Sequence, residues 1–504
     1  MKTLNNRYNK KNSFSKVALI VLVLLGFNFS SCKKFLEVDT ISEIPADNMW
    51  QNQRDVNAGI AEIYSSFRIA MNSNYFNWGE MRSDNFILFN EQPNEYGRLI
   101  SNQLTTDMVS SNWNTLYKVI SNANFAIQKI PGAVVADAAL KNDYLAQAYA
   151  MRALCYFYAV RVWGGVPVYL EPIDNIVKGE FKTQTPMQQV LRDVILPDLK
   201  TAEQLINPGN VERKRISRQA IYAIQADVYM WMDDYDSADK TIDKLRSNVT
   251  TTAFEPDMTK MKRTFVDDLN NKPADNDPIK DEYGPGTNEL IFVIHQNLQE
   301  AGLNNYSLTW LLLGSGSGQG STVVLSPKLQ GIYTAIKNAT PSDIRFDNYL
   351  TPSGGGTPNY QVHKYIANGT NLNFQNFINC QMAYPVYRFT DVLLMQAECK
   401  AHLDKWQDAL NIISSTVRTR ANVASSTRAL STFSSRDQVI DYVLNERQIE
   451  LVGEGKRWFD LVRTKRAVQV MEPINGMNNV NQTLFPINQS LINQNPKLIQ
   501  NPGY

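Results

Sequence analysis

Tyr222-Ala-Ile-Gln-Ala226-Asp-Val-Tyr229 runs through Asp233-Asp234 into Tyr235-Asp-Ser-Ala238-Asp-Lys-Thr-Ile242, and the same design returns further down the chain. There Leu393-Leu-Met-Gln-Ala397-Glu-Cys-Lys runs through Asp404-Lys405 into Trp406-Gln-Asp-Ala409-Leu-Asn-Ile-Ile413. In both, an alanine, an aromatic after an acidic turn and a second alanine fall in one register. Small residues let the two helices of a hairpin approach closely, and the aromatic opens the second helix. The spacing therefore predicts tetratricopeptide-like helix pairs. A generic helical hairpin uses some of the same residues and is the plainer alternative.

Helical periodicity extends on both sides of these pairs. Asp47 is the expected N-cap of a helix carrying Trp50, Val56, Ile60, Ile63, Tyr64 and Phe67. Leu116, Ile120, Ala123, Phe125 and Ile127 mark a second helix, and the run from Leu145 to Val162 a third. That third helix is expected to stop at Trp163-Gly164-Gly165-Val166-Pro167, where paired glycines and a proline end any helix. Residues 270–386 read differently, with Gly284-Pro-Gly286, Gly314-Ser-Gly-Ser-Gly-Gln-Gly320, Gly354-Gly-Gly356 and one strand-like run, Leu290-Ile-Phe-Val-Ile294. Long irregular inserts on a rigid frame commonly carry recognition, so this stretch is the expected binding region. The fold class read here is all-α: helix pairs with a large, loop-rich insertion. With 504 residues, two lobes or a solenoid with insertions is expected rather than one core. The boundaries are 32–269 for an N-terminal helical region, 270–386 for the insertion and 387–504 for a C-terminal helical region.

The first 31 residues read as an address. Lys2, Arg7, Lys10, Lys11 and Lys16 precede the apolar run Val17 to Phe27, too short to span a bilayer but suited to a signal-peptide core. Phe29-Ser30-Ser31-Cys32 then places small residues before a cysteine, the pattern of a bacterial lipoprotein site at which Cys32 is acylated. Ordinary cleavage near Ser31, with Cys32 an incidental thiol, is the alternative. Cys155, Cys380 and Cys399 have no metal-like spacing, and Cys155 and Cys399 fall inside apolar helical patterns as buried small side chains.

Charge excludes one class of partner. The chain has 50 basic and 49 acidic side chains, and a net charge of +1 lacks the excess that phosphate neutralisation requires, so no nucleic acid is expected. Gly314 to Gly320 lacks the Lys-Ser/Thr ending of a phosphate loop and reads as a plain loop. Glu446, Glu450 and Glu454 lie at four-residue steps with Arg447, Arg457 and Arg463 nearby. A glycosidase needs two carboxylates facing each other across a bond, whereas acids stacked on one face beside arginines point to ion pairs between helices. His295, His363 and His402 show no ligand spacing, and Asp267, Asp268, Asp275 and Asp277 lack a calcium-loop pattern. No cofactor or metal is expected.

Aromatic residues make up 10% of the chain, and many fall outside the helical stripes. Tyr75, Phe76 and Trp78 cluster among amides, while Tyr283, Tyr306, Trp310, Tyr349, Tyr360, Tyr365 and Phe374 are scattered through the insertion. Sugar rings have an apolar C–H face and a polar rim, so exposed aromatics among Asn, Asp and Arg suit glycans. Tyr75, Trp78, Tyr306 and Trp310 are the candidate ligand contacts on that ground, against the simpler reading that they form satellite cores beneath the loops.

Several stretches occur in a recognisable order: Ser31-Cys-Lys-Lys-Phe-Leu-Glu-Val-Asp39, Glu80-Met-Arg-Ser-Asp-Asn85, and Trp113 with Leu116, Tyr117, Ile120, Ala123 and Asn124. Ala150-Met-Arg-Ala153, Trp163-Gly-Gly-Val-Pro167 and Arg388 through Glu398 follow. Glu446-Arg447, Arg457-Trp-Phe-Asp-Leu461 and Gln500-Asn-Pro-Gly-Tyr504 complete the series. In these the chain resembles the SusD/RagB family of Bacteroidetes surface lipoproteins along nearly its full length. The resemblance implies a non-enzymatic, lipid-anchored protein of the outer membrane that binds a glycan and passes it to a SusC-like TonB-dependent barrel. It also implies that the Glu-Arg and Arg-Trp motifs are structural, and that Arg82, Asp84 and Asn85 lie near the ligand face. Peptide capture for a RagA-like transporter is the alternative within the same architecture, and a surface glycan hydrolase the alternative outside it.

Overall fold

The computed structural model describes residues 49–89, 95–172, 181–210, 212–248, 266–267, 289–296, 322–352, 360–362, 364 and 381–504. Asp47, Cys32, Tyr306, Trp310, His363, Cys380 and the Gly314–Gly320 loop lie outside them.

Helix α1 (Gln53–Met71) starts at Asn52, not at Asp47. The Asn52 side chain accepts from the Arg54 and Asp55 amides at 2.9 and 3.2 Å, and Asp55 accepts from the Asn52 amide at 3.3 Å. Asn52-x-x-Asp55 is thus a reciprocal capping box, legible in the sequence but passed over. A short helix, α2 (Asn74–Gly79), follows, then α3 (Asn114–Lys129) and the 26-residue α4 (Ala138–Trp163). Beyond Asp143, α4 is buried almost all round, and its alanines at 146, 148, 150, 153 and 159 let neighbouring helices close on every side. It ends where expected, at Gly164, whose φ of 77° is left-handed and favours glycine.

Helix α5 (Leu196–Leu205) precedes the first repeated pair, α6 (Arg218–Trp231) and α7 (Tyr235–Ser247). The second pair is α9 (Phe389–His402) and α10 (Trp406–Ile413), reached after α8 (Pro327–Ala339). The register match goes deeper than the sequence suggested. Asp233 and Asp404, each seven residues after the shared alanine, turn their hairpins with φ of 58° and 57°. Aspartate tolerates this left-handed conformation better than most residues. The two pairs stack through α7 and α9: Gln396 donates to Asp239 and Asp243 at 3.0 and 2.8 Å, and Lys400 meets Asp239 at 2.7 Å. The Tyr235 and His402 rings lie parallel there, 3.7 Å apart. Helices α11 (Arg436–Glu450) and α12 (Arg457–Arg463) close the frame.

Within 270–386 the described residues carry regular structure that the loop reading missed. Strand β1 (Phe86–Leu88) pairs antiparallel with β4 (Val323–Leu325), Phe86 opposite Leu325. Strand β7 (Gln381–Arg388) lies between β2 (Val266–Asp267) and β3 (Leu290–Gln296). Residues 350–352 and 360–362 form a third antiparallel pair, β5 and β6. The strand-like run at Leu290 is therefore a strand, two residues longer than read. Helix α8 had a signal of its own: Ser326 caps Leu329 N at 3.2 Å, and Pro327 sits in the first turn. Neighbouring glycine-rich runs masked it. From Trp50 onward the described residues gather into one compact unit rather than two lobes.

Candidate functional site

The Glu80–Asn85 turn, expected near a ligand, is instead a knot inside the protein. Tyr75 and Trp78 are 3% and 0% exposed, and Arg82, Asp84 and Asn85 are each 1% exposed. Trp78 stacks edge-on against Trp163 at 5.3 Å and donates to the Ser110 carbonyl at 2.9 Å. The Tyr75 hydroxyl lies 2.7 Å from the carbonyls of both Pro385 and Glu454. Among the described residues Arg82 meets no carboxylate: it donates to Thr483 O at 2.9 Å, Asn102 Oδ1 at 2.7 Å and the Gln482 carbonyl, with its guanidinium 4.4 Å over the Trp458 ring. Burial lowers its pKa to about 10. Asp84 accepts from Arg457 at 2.8 Å and Lys328 at 2.8 Å. Burial alone raises a carboxyl, yet these two cations hold Asp84 well below the usual range. Asn85 donates to Glu80 at 2.6 Å and accepts from Gln448 at 2.8 Å. Burial removes all five side chains as contacts for a surface ligand.

The turn needs its close approach to the far end of the chain. A Cβ on Gly79 falls 2.1 Å from the Gly455 carbonyl oxygen, and Gly455 has a φ of 64°. Only glycine fits either place.

The three stepped glutamates do form ion pairs, with partners other than the neighbouring arginines. Glu446 meets Arg345 at 2.6 Å, Glu450 meets Arg420 at 2.5 Å, and Glu454 meets Arg388 at 2.7 Å and also Lys364. Arg388 further binds Glu289 at 2.8 Å, joining β7 to the start of β3. Arg447 turns to Asp460 and Asp391 at 2.8 and 2.9 Å, Arg457 to Asp84, and Arg463 to Glu398. Burial opposes ionisation of Glu450, but Arg420, Arg388 and Arg345 outweigh it and hold its pKa at about 2. Such a carboxylate cannot donate a proton near neutrality, which removes Glu450 as the general acid a glycosidase requires. Glu80 is pushed up to about 7 by burial, against hydrogen bonds from Asn85 and the Gly453 amide. It is 0% exposed, so no substrate reaches it.

Tyr349 of the insertion is likewise interior, donating to Glu450 at 2.9 Å, while Tyr360 is half-buried edge-on to Phe346 at 5.1 Å. Cys155 and Cys399 are buried free thiols, as read from the sequence, and burial raises both.

Sequence reading missed an open recess of about 300 Å³ between α3, residues 167–171, Phe181 and the C-terminal residues 491–498. Trp113, Tyr117, Tyr169 and Phe181 wall it with rings; the Trp113 and Tyr117 centroids are 5.6 Å apart and those of Tyr117 and Tyr169 6.3 Å apart. Its backbone is braced from behind. Asn124 donates to the Tyr169 and Glu171 carbonyls at 3.0 and 3.2 Å and accepts from Arg152 at 2.8 Å. Arg152 in turn pairs with Asp198 of α5 at 2.7 Å. The available signal was Trp113-x-x-x-Tyr117, two rings at helical spacing, but the other two walls come from distant chain.

Comparison with known proteins points to one family. One family model, described as "SusD family", matches residues 356–504, and a second, "Starch-binding associating with outer membrane", matches residues 34–230. The SusD-like protein P38 of Formosa agariphila is 27% identical over 98% of this chain and 100% of its own length. The SusD-like protein P25 of the same organism is 26% identical over 90% of this chain and 91% of its own. Among solved structures, B. fragilis NanU superposes with a TM-score of 0.71 at 25% identity, covering 93% of this chain and all of NanU. A structure described as a laminarin binding SusD-like protein superposes with a TM-score of 0.70 at 20% identity, covering 90% of this chain and all of its own. With both ends matched by its models and full-length relatives bearing its name, the chain belongs to the SusD/RagB family, a family of non-catalytic binding proteins.

Proposed function

We propose that this protein captures a glycan at the cell surface and delivers it to a SusC-like TonB-dependent barrel, tethered to the outer membrane by acyl chains on Cys32. The observation that carries the reading is the end-to-end alignment with SusD-like relatives, 98% of this chain against 100% of P38. A family description that joins starch binding to the outer membrane supports it, as does a laminarin-binding structural neighbour. The small-residue run before Cys32 supports the anchor, since more than one acyl chain is needed for stable attachment. Among the described residues no helix is long and apolar enough to cross a membrane.

Two measurements test this. Calorimetry of the purified chain against starch, laminarin and other polysaccharides is expected to find at least one ligand. A chain that binds peptides but no glycan at millimolar concentration overturns the capture reading in favour of peptide uptake. Palmitate labelling in the native host is expected to mark the wild type and not Cys32→Ala, which moves to the soluble fraction. An unlabelled wild type overturns the anchor.

A further inference from the structure

We propose that the recess between α3 and the C-terminal residues 491–498 is a sugar-binding subsite selective for neutral pyranose chains. This rests on the glycan-capture reading and adds to it a place and a chemical class.

Four observations converge on the recess. Its volume, about 300 Å³, sits at the lower end of small-ligand sites. Its walls are carbon-rich because their polar ends are occupied. The Tyr117 hydroxyl donates to the Pro167 carbonyl at 2.6 Å, and the Tyr169 hydroxyl accepts from the Lys182 amide at 3.3 Å. Ring carbons are left to meet a ligand, and Phe181 remains 48% exposed at the mouth. A pyranose presents C–H faces that complement such rings and hydroxyls that need partners at the edge.

Those partners are present. Asn114, Ser121 and Gln494 line the recess, and their side chains make no hydrogen bond among the described residues. Amides and hydroxyls both donate and accept, which suits sugar hydroxyls in either role. An apolar peptide or lipid tail leaves these groups unmatched, at a cost in affinity.

Charge sets the class. Glu171 brings a carboxylate to the rim with no side-chain partner among the described residues. Among the described residues the cations beside it are engaged: Arg152 pairs with Asp198 at 2.7 Å, and Lys182 donates to the Val168 carbonyl at 2.9 Å and lies 5.1 Å over the Tyr169 ring. Among the described residues, a uronate or sialate entering here meets the like charge of Glu171 with no free cation to offset it, whereas a neutral hexose chain meets no repulsion. The braced wall also limits the ordering cost of binding, since Asn124 and Asn495 already fix its backbone, Asn495 through the Lys182 carbonyl at 2.9 Å.

The test is calorimetry of the full chain with maltoheptaose and laminarihexaose as neutral probes and oligogalacturonate as the acidic one. Variants are Phe181→Ala, Asn114→Ala, Gln494→Ala and Glu171→Gln, all at exposed positions, with folding checked by circular dichroism. Phe181→Ala is expected to weaken neutral-sugar binding about tenfold, and the two amide variants several-fold. Glu171→Gln is expected to improve binding of the acidic probe while leaving the neutral ones within about twofold. Wild-type affinity for a neutral probe in all three truncations overturns the subsite while leaving glycan capture standing. Wild-type preference for the acidic probe overturns the neutral class. A wild type that binds no saccharide overturns capture and subsite together.

Discussion

Asp84 illustrates what single residues do here. It is the buried carboxylate between Arg457 and Lys328, and it connects positions 373 and 244 residues away. Removing it with Asp84→Ala strands the Arg457 charge in the interior, and urea denaturation is expected to show a loss of about 3–5 kcal/mol. The double variant Asp84→Ala/Arg457→Met removes both charges and is expected to recover much of that loss; equal loss in both refutes the uncompensated-charge account. The buried carboxyls also fix the pH response. Glu450 and Asp391 each titrate at about 2 in the folded chain, below their ordinary values of 4.5 and 3.8. The folded state binds their protons more weakly, so their stabilisation is complete above those ordinary values and is lost as pH falls toward 2. Glu80 has the opposite sign. Its folded value of about 7 lies above 4.5, so its contribution is present below pH 4.5 and lost as pH rises through 7. Urea midpoints measured from pH 5 to 8 are expected to decline for the wild type and less for Glu80→Gln, a difference of up to about 3 kcal/mol. Parallel curves for the two proteins refute a shifted Glu80.

At the scale of elements, the hairpins depend on their turns. Asp233 holds a left-handed φ of 58° between α6 and α7. A β-branched side chain there is strained, so Asp233→Val is expected to lower stability by about 1–2 kcal/mol, while Asp233→Gly stays near the wild type. Thermal unfolding distinguishes them, and equal midpoints refute the strain. Capping is a second lever. Ser326 caps α8 and also donates to the Asp84 carbonyl at 2.6 Å, so Ser326→Ala is expected to cost more than the roughly 1 kcal/mol of Ser217→Ala, a cap alone. Elements of this kind were largely legible. Helices α1, α3, α4, α6, α7, α9 and α10 each carried an apolar stripe or the repeated alanine register, because helical periodicity is a local property. The short strands were not. β1 and β4 have three residues each and exist only because Phe86 and Leu325, far apart in sequence, come together.

At the scale of the molecule, the two ends of the chain complete each other. The Phe485 amide donates to the Val162 carbonyl at 2.8 Å, Asn501 to the Trp163 carbonyl at 3.0 Å, and Asn488 to the Met108 carbonyl at 2.9 Å. A chain ending at Gly476 leaves the end of α4 and the Trp113–Trp163 contact uncovered. Limited proteolysis is expected to find no resistant fragment of that truncated chain, and a stable one refutes this dependence. The same interlock explains how the candidate residues divided. Tyr75 and Trp78 looked like a ligand face because aromatics among polar residues describe an exposed sugar platform and a buried knot equally well, and Arg82, Asp84 and Asn85 because the family resemblance implied a place near the ligand. The sequence alone determined the helix pairs, the family and the kind of bond that the glutamates make, since all three are written in local spacing and residue type. Only the tertiary structure decided which arginine meets which glutamate, which aromatics are buried and where a recess opens. Those depend on contacts between residues hundreds of positions apart, and no local pattern encodes such partners.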